Sequence, residues 1–196
     1  HHQRVEWARE RVRRFPVVLP EYRAHPVLIH PYAAMESLFE RLDEDDVVVT
    51  GNGSACVVSF QAARIRRGQR LWTNSGCATM GYDLPAAIGV CAATDGQRVI
   101  CIAGDGSIMM NLQEMQTIAG ARLPVKVFLI NNAGYVSIFQ THRNFFNGVE
   151  VGGGPKSDVT FPNFGKVAAA FDFAYVCADA LDDLGAAIEA TLAVEG

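Results

Sequence analysis

The sequence predicts an α/β fold: a three-layer, doubly wound parallel sheet with helices on both faces. Three observations predict it. Short apolar runs at 47–50, 99–102 and 125–130 alternate with longer segments of helical character, and strands alternating with helices build a parallel sheet covered on both sides. Two of those runs end in polar, ligand-type residues, Gly104-Asp105-Gly106-Ser107 and Asn131-Asn132, whose Asp105 and Asn132 lie 27 residues apart. A strand, its crossover helix and the next parallel strand take roughly 30 residues, so both tips emerge at one sheet edge. Finally, 196 residues with 49% hydrophobic and 19% charged composition suffice for one well-buried domain.

The elements follow in order. Residues 4–14 are net basic, tempered by Glu6 and Glu10, with apolar Val5, Trp7, Ala8 and Val12 between, which predicts a solvated amphipathic helix. The leading His1-His2 pair is compatible with a tag remnant. Segment 15–26, with Pro16, Pro20 and Pro26, reads as an extended connector. Beyond it the pattern gives helix 31–42, strand 47–50, helix 55–64, a short strand at 71–72, helix 84–93, strand 99–102, helix 112–122 and strand 125–130. Helix 136–145, a long Gly- and Pro-rich mobile loop at 148–162, helix 164–170, strand 173–176 and helix 181–193 complete the chain.

Bulk properties exclude several function classes. A formal charge of −4 argues against nucleic acid as the main partner. No apolar run approaches the roughly 20 residues that cross a bilayer, and no secretory signal pattern opens the chain. Five cysteines without Cys-x-x-Cys spacing suit buried thiols in a reducing cytoplasm. No Gly-Lys-Ser/Thr phosphate loop is present, so nucleoside triphosphate hydrolysis has no support.

Gly104 to Ser107 alone reads as a tight turn, and Asn131-Asn132 alone as a helix cap. Together, at the tips of neighbouring strands, they resemble the cofactor-binding signature of thiamine diphosphate enzymes. The stretch Thr79-Met80-Gly81-Tyr82-Asp83-Leu84-Pro85-Ala86-Ala87-Ile88-Gly89 resembles the segment that precedes this motif in the acetolactate synthase group, and residues 104–116 are nearly that group's consensus.

The resemblance implies thiamine diphosphate and Mg²⁺ as cofactors. A protein-bound diphosphate is usually neutralised by Mg²⁺, a hard ion with about six oxygen ligands. Asp105 would give a carboxylate oxygen, Asn132 an amide oxygen and Gly134 a backbone carbonyl. Gly104 and Gly106 would let the backbone approach the phosphate, and a helix starting near Ser107 to Asn111 would aim N–H groups at it, which makes Ser107 a cofactor-binding residue too. Gly53 and Ser54 would touch the diphosphate from the other side, and Tyr135 and Val136 would flank it. The Ala78 carbonyl would accept from the aminopyrimidine, and Met80 would wedge between the cofactor's rings; from the residues alone, Met80 is a core methionine.

The implied activity is decarboxylation or carboligation of a 2-keto acid. The chemistry belongs to the cofactor, while the protein supplies position and electrostatics. The implied partner is a pyrimidine-binding domain of a neighbouring subunit in a homodimer or homotetramer, whose glutamate serves the aminopyrimidine. Glu36, Glu40 and Glu114 do not lie in that motif, so no catalytic acid is expected in this chain, and a flavin would enter only through a further domain. Residues 1–30 are expected to be a basic helix and linker from an upstream domain, and residues 31–196 the diphosphate-binding domain, with the C-terminal end at Gly196 short of one more strand.

Two departures from the acetolactate synthase pattern point to a different acceptor. Gly53-Ser54-Ala55 stands where Gly-Gln-His is usual, and residues 133–142 lack the Gln-Trp pair of the substrate pocket. Segments 140–146 and 147–162 are the candidates for shaping the acceptor site, with His142 and Arg143 facing either an anionic substrate or solvent. A rival reading takes Gly51-Asn52-Gly53 as the opening of a dinucleotide fingerprint, but Cys56 and the acid-free Thr73-Asn74-Ser75 fit it poorly. A third reading is a non-catalytic module that binds cofactor without turnover.

Overall fold

The computed structural model describes residues 2–24 and 28–195; the expectations that touch His1, Pro26 and Gly196 lie outside them. Four parallel strands form the sheet: β1 (Val47–Thr50), β2 (Arg70–Thr73), β3 (Val99–Gly104) and β4 (Val125–Ile130), in the order β2-β1-β3-β4. Val47 pairs with Val99 and Val99 with Val125, so the strands start level, and β3 and β4 run on together to Gly104 and Ile130. From β1 the chain winds first to β2 on one side and then to β3 on the other. The reversal leaves a crevice beyond the carboxyl ends of β1 and β3, the position at which open α/β sheets bind ligands.

Alternate strand residues feed two cores, as the period of two requires. Val49, Val99, Cys101 and Ala103 pack with Leu84, Ala87 and Cys91 of α4 (Asp83–Ala93), Met115 and Ile118 of α6 (Glu114–Gly120), and Phe164 of α8 (Phe164–Ala170). Val48, Ile100 and Ile102 pack on the other face with Met35, Leu38 and Phe39 of α2 (Pro31–Arg41), Ala55 and Val58 of α3 (Gly53–Ala62), and Ile188 of α9 (Leu181–Ala193). Helices therefore cover both faces, as the sequence predicts. Each Val, Leu, Ile, Phe or Met side chain among them contributes about 1.5–3 kcal/mol on removal from water before entropy is counted, which makes the sheet a firm base for its loop tips.

Local signals set the helix ends. His30 Nδ1 accepts from the Tyr32 N–H at 3.3 Å and Pro31 opens α2, where its missing N–H has no partner to lose. Asn163 Oδ1 accepts from the Lys166 N–H at 3.0 Å and starts α8. Asn163→Ala is expected to lower stability by about 1 kcal/mol, the usual worth of such a cap, read as a fall in denaturation midpoint at unchanged slope. At the amino end of the sheet, Arg98 grips buried Asp46 through two bonds of 2.6 Å and tethers β3 to the start of β1.

Five expectations are corrected. Residues 173–176 form no strand and do not join the sheet, so β4 is an edge strand; a groove of about 490 Å³ is lined by its Val125 and Val127 and by Phe173 and Val176. The helix expected at 112–122 begins only at Glu114, and the one expected near 107–111 is the single turn α5 (Asp105–Ile108). Loop 148–162 is docked rather than loose. Its Gly153 carbonyl accepts from the Tyr135 N–H at 2.8 Å, and Ser157 Oγ accepts from the Gly153 N–H at 2.9 Å above a 3₁₀ turn at Pro155–Ser157. Among the five free cysteines Cys56, Cys91 and Cys101 are buried, but Cys77 and Cys177 are exposed. The first helix, α1 (His2–Arg14), forms as expected and buries none of its residues.

Candidate functional site

The carboxyl ends of β1, β3 and β4, with the loop that follows β2, converge on the crevice. Asp105 directly follows β3, and its carboxylate is buried. Its Oδ1 accepts from the Gly106 N–H at 2.7 Å and its Oδ2 from the Gly134 N–H at 3.1 Å, so the acid already bridges the β3 and β4 tips. Burial pushes its pKa up against the pull of these backbone donors.

Asn132 stands beside it. The carboxamide end that carries the oxygen lies 3.2 Å from Asp105 Oδ1 and 2.6 Å from the Gly134 carbonyl oxygen. An amide oxygen at these separations is repelled by both neighbouring oxygens. The conflict is resolved either by turning the amide so that Nδ2 donates to both, or by a cation among the three oxygens. The edge between adjacent oxygens of a Mg²⁺ octahedron is about 3 Å, so the spacing suits a small hard ion. Ala133, between them, is left-handed at φ 55°, which turns the Asn132 side chain and the Gly134 carbonyl toward the same point. That conformation costs a non-glycine residue roughly 1–2 kcal/mol. Ala133→Gly is therefore expected to raise thermal stability by roughly 0.5–1 kcal/mol after the added unfolded-state entropy is subtracted.

Close approaches explain the glycines here. A Cβ on Gly106 would lie 2.1 Å from the Tyr135 ring, so the ring rests on the bare Gly106 backbone. A Cβ on Gly134 would meet the Phe139 ring at 2.6 Å and the Gly153 carbonyl at 2.8 Å. Gly53, left-handed at φ 56°, opens α3 with Ser54, and its nearest neighbour across the crevice is Ser137 of α7 (Val136–Phe145). The start of α3 thus lies near the beginning of α7, and the N–H groups of a helix start suit an anion.

Met80 lies half-buried in the loop after β2, and that loop is pinned at nearly every backbone group around it. Ala78, left-handed at φ 52°, gives its carbonyl to Asn52 Nδ2 at 3.0 Å. The Thr79 carbonyl accepts from Asn74 Nδ2 at 2.9 Å and the Gly81 carbonyl from Asn111 Nδ2 at 2.7 Å. The Gly81 N–H donates to Ser107 Oγ at 3.0 Å. Sequence reasoning missed these asparagines. Asn52 was visible only as part of a glycine-rich turn and occupies the cap position of α3 without capping it, so nothing short of the tertiary fold could assign it.

The structure links several of the expected residues: Asp105, Gly106, Asn132 and Gly134 meet at the β3 and β4 tips, the Tyr135 ring rests on Gly106, and Ser107 holds the backbone of Gly81 next to Met80; Ala78 is tied to Asn52, which precedes Gly53 and Ser54, while Gly104 ends β3 and Val136 opens α7. Within the set, the Ser107 hydroxyl is buried and turned inward to Asp83 and Gly81, away from the crevice. His142 stacks edge-on with Phe146 at 6.3 Å on α7. No group of three or more His, Cys, Asp and Glu side chains able to hold a metal occurs among the described residues; the oxygen set at the β3 and β4 tips, with one carboxylate, has the hard-cation character instead.

Residues 51–196 match the family described as "Thiamine pyrophosphate enzyme, C-terminal TPP binding domain". The acetolactate synthase isozyme 1 large subunit of Escherichia coli K12 is 34% identical over 175 residues, which is 86% of this chain and 29% of that protein. The chloroplastic acetolactate synthase 1 of Nicotiana tabacum is 33% identical over 86% of this chain and 26% of its own length, and the Parasynechococcus marenigrum large subunit is 36% identical over 68% and 21%. The chain thus spans under a third of the length of these curated relatives. The dinucleotide reading of Gly51-Asn52-Gly53 is not favoured. Strand order, crevice and family match agree, and the chain belongs to the thiamine pyrophosphate enzymes as their C-terminal cofactor-binding domain.

Proposed function

We propose that this chain is the cofactor-holding part of a thiamine diphosphate- and Mg²⁺-dependent 2-keto acid decarboxylase or carboligase similar to acetolactate synthase, a transferase or lyase. The observation that supports it most is the convergence of Asp105, Asn132 and Gly134 oxygens at spacings that fit a small divalent ion. When bound, the cofactor supplies carbon–carbon bond cleavage and formation at a keto acid. Asp105, the Asn132 amide and the Gly134 carbonyl hold the ion that anchors the diphosphate. Gly53 and Ser54 offer N–H groups from the start of α3, Gly104 and Gly106 let the backbone come close beside β3, and Tyr135 and Val136 close the far side. Ala78 presents its carbonyl to the aminopyrimidine, and Met80 supports the bent cofactor.

Residues 31–196 form this domain, and residues 1–30 are an arm toward an upstream domain; α1, with none of its residues buried, supports that division. The glutamate that serves the aminopyrimidine comes from the pyrimidine-binding domain of a neighbouring subunit in a homodimer or homotetramer, so the chain alone binds cofactor without turnover. Five unpaired cysteines support a cytoplasmic setting, and no helix among the described residues is long and apolar enough to cross a membrane. Calorimetric titration with thiamine diphosphate is expected to show binding with Mg²⁺ and little without it, and none with NAD. Equal binding with and without Mg²⁺, or preference for the dinucleotide, would overturn the reading.

A further inference from the structure

We propose that Asp83 is a positioning residue of the cofactor site: through the Ser107 hydroxyl it fixes Gly81, and with it the Met80 segment, against the loop that carries Asp105. The proposal rests on the cofactor assignment above.

Asp83 is the first residue of α4 and is fully buried. An acid at the start of a helix is commonplace, because the helix dipole favours it there, usually at the surface. This one points inward. Its Oδ1 accepts from the Leu84 N–H at 3.1 Å, its Oδ2 accepts from the Ser107 hydroxyl at 2.6 Å, and among the described residues no ion pair with a basic side chain reaches it. Taking an unpaired carboxyl out of water is costly, so a helix-start preference alone gives no reason to bury it.

Its surroundings supply one. A hydroxyl has a single proton, and that of Ser107 is committed to Asp83, which aims its lone pairs at the Gly81 N–H 3.0 Å away. The Gly81 carbonyl is held at the same time by Asn111, so both backbone groups of this left-handed glycine, φ 79°, are fixed. On the third side, Gly51 at the tip of β1 comes so close that a Cβ there would lie 2.5 Å from Asp83 Oδ2 and 3.3 Å from Ser107 Oγ. One buried carboxyl thus lies against the β1 tip and the β3 loop and, through Ser107, holds the Met80 turn, the three segments proposed to meet the diphosphate and the rings. With it in place the wedge and the metal loop keep one spacing; without it the Ser107 hydroxyl is free to rotate and Gly81 loses its oriented acceptor.

The test uses the full-length protein and thiamine diphosphate with saturating Mg²⁺. Three quantities are read for wild type, Ser107→Ala, Ser107→Thr, Asp83→Ala and the double alanine variant: the cofactor dissociation constant, the near-ultraviolet circular dichroism of bound cofactor at saturation, and the melting temperature without cofactor. Ser107→Ala is expected to weaken cofactor binding about tenfold, in the range of outer-shell partners of a metal site, and to change the dichroism even at saturation. Ser107→Thr, which keeps the hydroxyl, restores both. The double variant is expected to be no worse than the poorer single one, because the two residues act through one link. A Ser107→Ala protein that binds as wild type with unchanged dichroism overturns the proposal, as does a variant set in which only the melting temperature moves. If Asp83→Ala does not fold, the Ser107→Ala and Ser107→Thr pair still decides. Wild-type protein that binds no thiamine diphosphate removes the functional reading and this proposal together, an outcome distinct from loss of the link alone.

Discussion

Asp105→Ala is expected to abolish Mg²⁺-dependent cofactor binding, with a loss of at least about 100-fold in affinity, since even outer-shell partners of a metal ligand are worth about 10–100-fold. Asp105 is the only carboxylate in the proposed oxygen set, so its removal takes away the charge that would attract a divalent ion as well as one proposed ligand. The structural consequence is separable. Alanine leaves the buried Gly106 and Gly134 N–H groups without their acceptor, at about 1–3 kcal/mol for each group left unsatisfied. Against that, it also removes a carboxyl whose burial is unfavourable, as the upward displacement of its pKa indicates. Asp105→Asn isolates the charge, because the amide oxygen still accepts from one of the two N–H groups. It is expected to melt close to wild type without cofactor yet to lose most of the Mg²⁺ dependence. Calorimetric titration beside thermal denaturation checks both variants; undiminished binding by Asp105→Asn would mean that the acid is a structural turn residue.

Gly134→Ala is expected to be the most damaging single-methyl change in the site. The added Cβ meets the Phe139 ring at 2.6 Å and the Gly153 carbonyl at 2.8 Å, and the latter is backbone that cannot rotate aside. Phe139 is itself hemmed in, since a Cβ on Gly153 or Gly154 would also fall 2.6 Å from its ring. Relief requires the docked loop to lift or the Gly134 carbonyl to tilt. The first breaks the bond from Tyr135 to Gly153, and the second turns away the carbonyl proposed to hold the metal. Overpacking of this kind costs about 1–3 kcal/mol of stability, and cofactor affinity is expected to fall with it. Gly148→Ala is the control at a glycine whose Cβ would meet nothing within 4 Å, although its φ of 76° carries its own strain. A Gly134→Ala protein that binds cofactor as tightly as the Gly148→Ala control would show that the loop and the β4 tip are not coupled as described.

The sheet was legible in the sequence because its strands are short apolar runs at regular spacing, and Asp105 and Asn132 were legible because a fixed strand–helix–strand length puts them at one edge. Side chains that bridge loops were not. Asn52, Asn74 and Asn111 carry no periodic signal, and only the fold discloses that each ties down a carbonyl between Ala78 and Gly81. Ser107 shows the limit from the other direction: its place in the motif suggested the diphosphate, but a buried hydroxyl goes to the strongest acceptor within reach, which is Asp83. Residues 173–176 have strand composition, yet a strand needs a partner edge, and here they line a groove with β4 instead of pairing with it. The docking of loop 148–162 was hidden for a similar reason, since its glycines read as freedom until the Phe139 ring filled the space they leave.

The central claim is that one divalent ion is shared by Asp105, the Asn132 amide and the Gly134 carbonyl, and diffraction from crystals grown with Mn²⁺ and thiamine diphosphate tests it most directly. The anomalous signal is expected to place Mn²⁺ among these three oxygens, roughly 2.1 Å from each as for a small octahedral ion, with the Asn132 amide oxygen turned toward it. Cofactor bound with the manganese elsewhere, or with the Asn132 nitrogen donating to Asp105 and Gly134 and no ion between them, would contradict the account.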